Sequence, residues 1–118
     1  MNFALKWIKA TETQLSGATL SSENEDVISD LYDLCSDNPD DALEVILQVI
    51  ALAPEERVLN QLGAGPIESL FFNYPEYLEK LISLTANTDA LKNCLSHVNY
   101  DDEGSLDVNF LEKFLHNH

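Results

Sequence analysis

Carboxylates are the side chains in this sequence whose type and spacing suggest chemistry. Between Ala10 and Glu56 the chain carries many acidic residues and no lysine or arginine. Four aspartates in this stretch recur at intervals of four, three and four residues: Asp26, Asp30, Asp33 and Asp37. This spacing places them on one face of a helix, where each like-charged pair destabilises the isolated helix by about 0.2–0.5 kcal/mol. The pattern predicts an anionic face that binds a partner.

The predicted partner is a basic protein. An acidic surface raises the rate of association with a basic one, and its carboxylates can occupy a cleft built for phosphate oxygens. Tyrosine is frequent at interface hot spots, so Tyr32 is a candidate aromatic anchor. The predicted contact residues are Asp26, Asp30, Asp33 and Asp37, with Glu44 at the margin and Tyr32 as the anchor. The alternative interpretation is an acidic surface that serves only solubility.

A second acidic stretch partly matches a calcium-binding loop. Its candidate ligands are Asp101, Glu103, Ser105, Asp107 and Glu112, the last at the bidentate twelfth position. The sixth position, where the loop needs glycine for a sharp turn, is Leu106, and Gly104 lies two residues too early. We therefore favour an acidic turn followed by a helix, and keep a calcium-binding module as a lesser alternative.

Histidine and cysteine do not form a recognisable catalytic or metal-binding pattern. Cys35 and Cys94 are far apart and lie among apolar residues at helical spacing, which predicts two reduced, buried thiols. His97 is three residues from Cys94, a commonplace spacing, and the sequence contains no nucleophile elbow, zinc signature or phosphate loop. We predict no enzyme activity, no cofactor and no metal.

The segment from Gly63 to Glu68 combines glycine, proline and an acidic residue. A glycine-rich turn before a helix can cradle an anion, but Glu68 would already place a negative charge at that helix N-terminus. The favoured interpretation is structural. Gly63 ends the fourth helix as a left-handed cap, Gly65 permits close approach, Pro66 is the first residue of the next helix and Glu68 the third.

The elements that position these residues are all predicted to be helices. Ser22 is expected to cap the second helix in a capping box with Glu25, and Asn38 to cap the third, with Pro39 next. A nearly continuous apolar run, ALEVILQVIALA, predicts that the third helix is buried. Three further residues are predicted to mark helix boundaries. Pro54 opens the fourth helix, Pro75 breaks and restarts the helix that follows Pro66, and Thr88 caps the helix that contains ALKNCLSHV. The predicted fold is an all-α, single-domain antiparallel helical bundle or small helical array of seven or eight short helices over residues 1–118.

Length and net charge limit the class of protein. With 118 residues the chain has enough sequence for one domain with one core, and 45% apolar residues argue against disorder. A formal net charge of −15 excludes a binding site for the phosphate backbone of a nucleic acid or for an anionic membrane surface. The first residues lack a secretory signal pattern and no run is long enough to span a bilayer, so we expect a cytoplasmic protein.

Two short motifs resemble a family of small, uncharacterised bacterial helical domains. The first is the turn Asp37-Asn38-Pro39, and the second is Ala64-Gly65-Pro66-Ile67-Glu68-Ser69-Leu70. The resemblance covers roughly residues 24–100, and Phe71-Phe72 departs from the usual small or aliphatic continuation. The resemblance implies that this chain is an immunity protein, because such small acidic helical proteins are often encoded beside polymorphic or contact-dependent growth-inhibition toxins. We therefore expect a protein that binds and neutralises a cognate bacterial toxin, such as a basic nuclease domain. A helical adaptor or regulatory domain is the alternative.

Overall fold

The computed structural model describes residues 3–85 and 88–95, and these residues form helices connected by short loops. The helices are α1 (Phe3–Leu15), α2 (Ser22–Asp37), α3 (Pro39–Leu52), α4 (Glu56–Leu62), α5 (Glu68–Asn73), α6 (Tyr77–Leu84) and α7 (Thr88–Leu95). A π-helical turn, Gly63–Ile67, joins α4 to α5. The all-α prediction is confirmed.

The predicted cap of α2 is wrong by one residue. Ser21, in an extended backbone conformation, is the N-cap, and its hydroxyl accepts a hydrogen bond of 3.1 Å from the backbone N–H of Asn24. Ser22 is already the first helical residue, so Glu25 falls one position beyond the end of a capping box. The two adjacent serines are equally good caps by type, and the backbone conformation decides between them.

Asn38 lies between α2 and α3, as predicted, with Pro39 in the first position of α3. Its side chain makes no cap hydrogen bond to the backbone; instead Nδ2 donates to Asp41 Oδ2 at 2.8 Å. Helix α3 ends with a left-handed C-cap residue, Ala53, which has φ 47°. Pro54 precedes α4 and does not open it, because the N-cap of α4 is Glu55.

Gly63 does not end α4. It has the right-handed helical angles φ −68° and ψ −48°, and the chain continues through the π-helical turn into α5. Pro66 therefore lies inside a continuous helical path and is not the first residue of a new helix. Proline has no N–H, and in an α-helix its ring collides with the carbonyl four residues earlier. The wider π-helical turn changes the hydrogen-bond spacing at this point and accommodates Pro66. With α4, the turn and α5 counted together, the described residues contain six continuous helices.

One hydrophobic core draws residues from every described helix. Trp7, Leu31, Ile46, Phe71 and Leu91 are among its largest fully buried side chains. The helical path is interrupted at Pro75, as predicted, between the end of α5 and the start of α6. The helix expected near the C-terminus and the calcium-loop match at Asp101, Glu103, Ser105, Asp107 and Glu112 lie outside the described residues.

Candidate protein-docking surface

The four aspartates of α2 form a line along the solvent side of that helix, which we call the acidic line: Asp26, Asp30, Asp33 and Asp37. All four are exposed. At 100° per residue they fall within an arc of about 60°, and at 1.5 Å per residue the line is about 16 Å long. None of them makes an ion pair with another described residue.

The other side of α2 fixes this line in place. Val27, Leu31 and Cys35 are buried in the core, and the Cys35 thiol donates a hydrogen bond of 3.2 Å to the carbonyl oxygen of Pro66. The helix contacts α1, α3, α5 and the π-helical turn. The acidic line therefore lies on a helix that is anchored on several sides, and a partner would meet it already ordered.

The lysines of the neighbouring helix α1 form no ion pair with the acidic line. Helix α1, which packs against α2, carries the exposed residues Lys6 and Lys9. In the described part of the chain, the ion pairs join Arg57 to Glu55 and Lys80 to Asp40. The negative charge of the line is thus left for solvent or a partner.

Asp40, just beyond the line, has a different environment. Its Oδ1 accepts hydrogen bonds from the Tyr77 hydroxyl at 2.7 Å and from Lys80 Nζ at 3.3 Å. These two bonds, followed by the charge of Lys80, lower the pKa of the Asp40 carboxyl. The same bond from Tyr77 is the main reason why the pKa of that hydroxyl is raised to about 12. Asp40 therefore serves to join α3 to α6.

Glu44 and Tyr32 are placed differently from the acidic line. Glu44 is exposed on α3, one turn after Asp40, and extends the acidic surface onto that helix. Tyr32 lies about 130° around α2 from the middle of the line. Its hydroxyl touches Gly65, and burial raises its pKa, with the charges of Cys35 and Glu68 adding to the shift. The structure does not bring Tyr32 together with the four aspartates, and its role as an anchor stays a prediction.

The Gly63–Glu68 segment packs closely against α7 and Tyr32 of α2, in a geometry that differs from the predicted one. A Cβ at Gly63 would overlap the backbone carbonyl of Cys94, and a Cβ at Gly65 would overlap the Tyr32 hydroxyl. The backbone N–H of Glu68 bonds to the carbonyl oxygens of Gly63 and Gly65, so it is not free to bind an anion. Glu68 follows the π-helical turn directly instead of occupying the third position of a new helix.

Both cysteines are buried free thiols, as predicted. Burial raises the pKa of the Cys35 and Cys94 thiols to about 12, which keeps them protonated and poorly nucleophilic at neutral pH. Among the described residues, no group of three or more His, Cys, Asp or Glu side chains could hold a metal ion. In the same ranges no helix is long and apolar enough to cross a membrane.

Sequence reasoning missed a group of aromatic residues next to the C-terminal end of α2. Phe72 is 83% exposed. Tyr74 and Tyr77 follow it closely in the chain, and the centroids of their two rings are 5.8 Å apart. The signal was the unusual Phe71-Phe72 pair, of which Phe71 is buried and Phe72 is not. Nothing in the local sequence indicated that these residues meet the end of α2.

Comparisons with known proteins give no relative from which a function could be transferred. Neither the protein-family models, nor the curated proteins, nor the solved structures that were searched include a match to this chain.

Proposed function

We propose that this protein is an immunity protein, an inhibitor that binds and neutralises a basic bacterial toxin domain through the acidic line of α2. The observation that carries the proposal is that these four carboxylates are aligned, exposed and unpaired with other described residues, whereas the nearby Asp40 is paired with Lys80. A mixed surface would satisfy solubility equally well.

The inhibition would be steric, and no bond would be made or broken. A basic cleft that binds phosphate oxygens presents arginine and lysine donors, and a carboxylate accepts the same charge-assisted hydrogen bonds. Four carboxylates over about 16 Å can therefore block such a cleft along its length. The negative field would also raise the association rate, which matters for an inhibitor that must act before the toxin does.

The test is a pair of matched charge reversals. Asp30→Lys with Asp33→Lys reverses the centre of the line, while Glu12→Lys with Glu79→Lys reverses two exposed acids on α1 and α6. Both double variants change the net charge by the same amount. Each is co-expressed with the protein that the adjacent gene encodes, and cell survival and co-purification are measured at low and high salt.

We expect the Asp30/Asp33 variant to lose protection and co-purification and the Glu12/Glu79 variant to keep both. Equal protection by the two variants would refute the acidic line as the binding site. A wild-type chain that neither protects nor co-purifies would favour the alternative, a helical adaptor whose acidity serves solubility.

A further inference from the structure

The residues Phe72, Tyr74 and Tyr77, which we call the aromatic corner, lie where α5 turns into α6. Phe72 exposes 83% of its surface. A single exposed apolar side chain is common in soluble proteins and by itself indicates nothing. What distinguishes Phe72 is that the end of its helix is bonded to the end of α2, the helix that carries the acidic line.

Hydrogen bonds join the aromatic corner to the C-terminal end of α2. Asn73 Nδ2 donates to the carbonyl of Cys35 at 3.3 Å and to Ser36 Oγ at 3.4 Å. The Tyr74 hydroxyl donates to the carbonyl of Ser36 at 2.7 Å. Ser36 directly precedes Asp37, the last residue of the acidic line, and Asn73 directly follows Phe72. The C-terminal end of α5, which carries Phe72, is therefore fixed against the C-terminal end of α2, which carries Asp37.

The aromatic corner already binds a cation within the chain. Lys80 Nζ lies 4.9 Å from the centre of the Tyr77 ring and 3.3 Å from Asp40 Oδ1. An aromatic face and a carboxylate thus hold the ammonium together, which is the arrangement that arginine and lysine favour at interfaces. Asp37, three residues before Asp40 in the chain, has no ion pair with a described residue.

We propose that the aromatic corner is the apolar end of the docking surface, and that it binds a segment of a basic protein in which an apolar side chain stands next to arginine or lysine. This inference rests on the proposed function, because it takes the acidic line to face a basic protein. Exposed charges mainly accelerate encounter, whereas a buried aromatic anchor slows dissociation.

Charge complementarity selects this occupant over others. A second copy of the chain would bring another molecule of net charge −15 against the acidic line, and an anionic membrane would be repelled in the same way. A basic segment with an apolar side chain is attracted by the line and can also cover Phe72.

The experiment uses two short synthetic peptides as probes. One alternates arginine pairs with leucines, and the other has serine in place of each leucine. Their affinities for the full chain are measured by calorimetry at low and physiological salt. The variants are Phe72→Ser, Asp30→Lys with Asp33→Lys, and Leu84→Ser, which removes another exposed apolar side chain at the far end of α6.

We expect Phe72→Ser to weaken the leucine peptide by about fivefold and to leave the serine peptide unchanged. The Asp30/Asp33 variant should weaken both peptides, and Leu84→Ser neither. If the Asp30/Asp33 variant weakens both but Phe72→Ser weakens neither, the aromatic corner is refuted and the acidic docking surface stands. If reversing Asp30 and Asp33 changes neither affinity, the proposed function is refuted.

Two further readouts test the other possible occupants of the aromatic corner. Thermal unfolding of Phe72→Ser should match that of the wild type, because the ring is exposed. A clear fall in Tm would mean that other residues of the chain cover Phe72. Sedimentation should give one species for both proteins, and a wild-type dimer that Phe72→Ser dissociates would assign the ring to self-association. Either result would overturn the inference.

Discussion

Adding one methyl group at Gly63 should strongly destabilise the protein. The new Cβ would overlap the carbonyl oxygen of Cys94 and lie 2.6 Å from its carbonyl carbon and 3.0 Å from its Cα. All three are backbone atoms of α7, so no side-chain rotation relieves the overlap. Either α7 moves away from α4 or the helical path through Gly63 is distorted.

Two opposing contributions set the magnitude. Alanine is favoured over glycine inside a helix by about 1 kcal/mol. Overpacking a rigid interior costs about 1–3 kcal/mol and occasionally more, and displacing α7 also loosens the buried contacts of Leu91 and Leu95. The overlap is with backbone, so we take the upper end of the overpacking cost, and after the gain in helix propensity Gly63→Ala should lower the free energy of unfolding by about 2 kcal/mol. This corresponds to a fall in Tm of roughly 8 °C for a chain of this size.

Gly65→Ala is the matched control. The atom that its Cβ would overlap is the hydroxyl of Tyr32, at the end of a half-buried side chain that can rotate. We expect a change below about 1 kcal/mol, because the gain in helix propensity offsets the displacement of Tyr32. Tyr32→Phe should make Gly65→Ala more favourable, since it removes the overlapping oxygen.

Urea unfolding followed by circular dichroism measures both effects. The reasoning is refuted if Gly63→Ala and Gly65→Ala cost the same, or if Gly63→Ala melts within a few degrees of the wild type. Cys94→Ala is a further check, because truncating that side chain leaves the obstructing backbone in place. Recovery of stability in the Gly63/Cys94 double variant would contradict the assigned overlap.

Three further predictions concern the cap, the thiols and the acidic line. Ser21→Ala should lower the free energy of unfolding by about 1 kcal/mol while Ser22→Ala changes it little, and the opposite order in urea unfolding would return the cap to Ser22. Cys35 and Cys94 should resist iodoacetamide in the native protein and react once it is unfolded, and fast native labelling would contradict their burial. Asp30→Asn should raise Tm by a few degrees at low salt and less at high salt, because it removes repulsion from neighbours on both sides; a gain that salt does not reduce would have another cause.

Features that depend on a few adjacent residues could be predicted from the sequence. The face of α2 that carries the aspartates follows from helical periodicity alone, and the α2–α3 boundary follows from the chemistry of Asn38 and Pro39. The N-cap was misplaced because Ser21 and Ser22 have equal preference and only the fold decides which of them leaves the helix. The same limit applies to the partner of Asp40, since Lys80 lies 40 residues away in the chain.

Gly63 and Pro66 were misassigned for another reason. Glycine and proline usually interrupt helices, so the sequence predicted a left-handed cap and a new helix. Here the missing Cβ of Gly63 leaves room for the backbone of Cys94, and Pro66 is contained in a π-helical turn. Helix-breaking residues therefore mark close packing against α2 and α7, which no local pattern reveals.

The register of the acidic line separates the two interpretations of the charge. Solubility depends on net charge and on the absence of apolar patches, and it is indifferent to which face of a helix carries the carboxylates. Helix stability opposes the observed register, because aspartates three and four residues apart repel one another. Redistributing the same aspartates around α2 at other exposed positions would preserve net charge and relieve repulsion. Under the proposed function, the register presents the carboxylates together to a basic surface, so a redistributed variant should remain soluble and become more stable while it loses affinity for a basic partner.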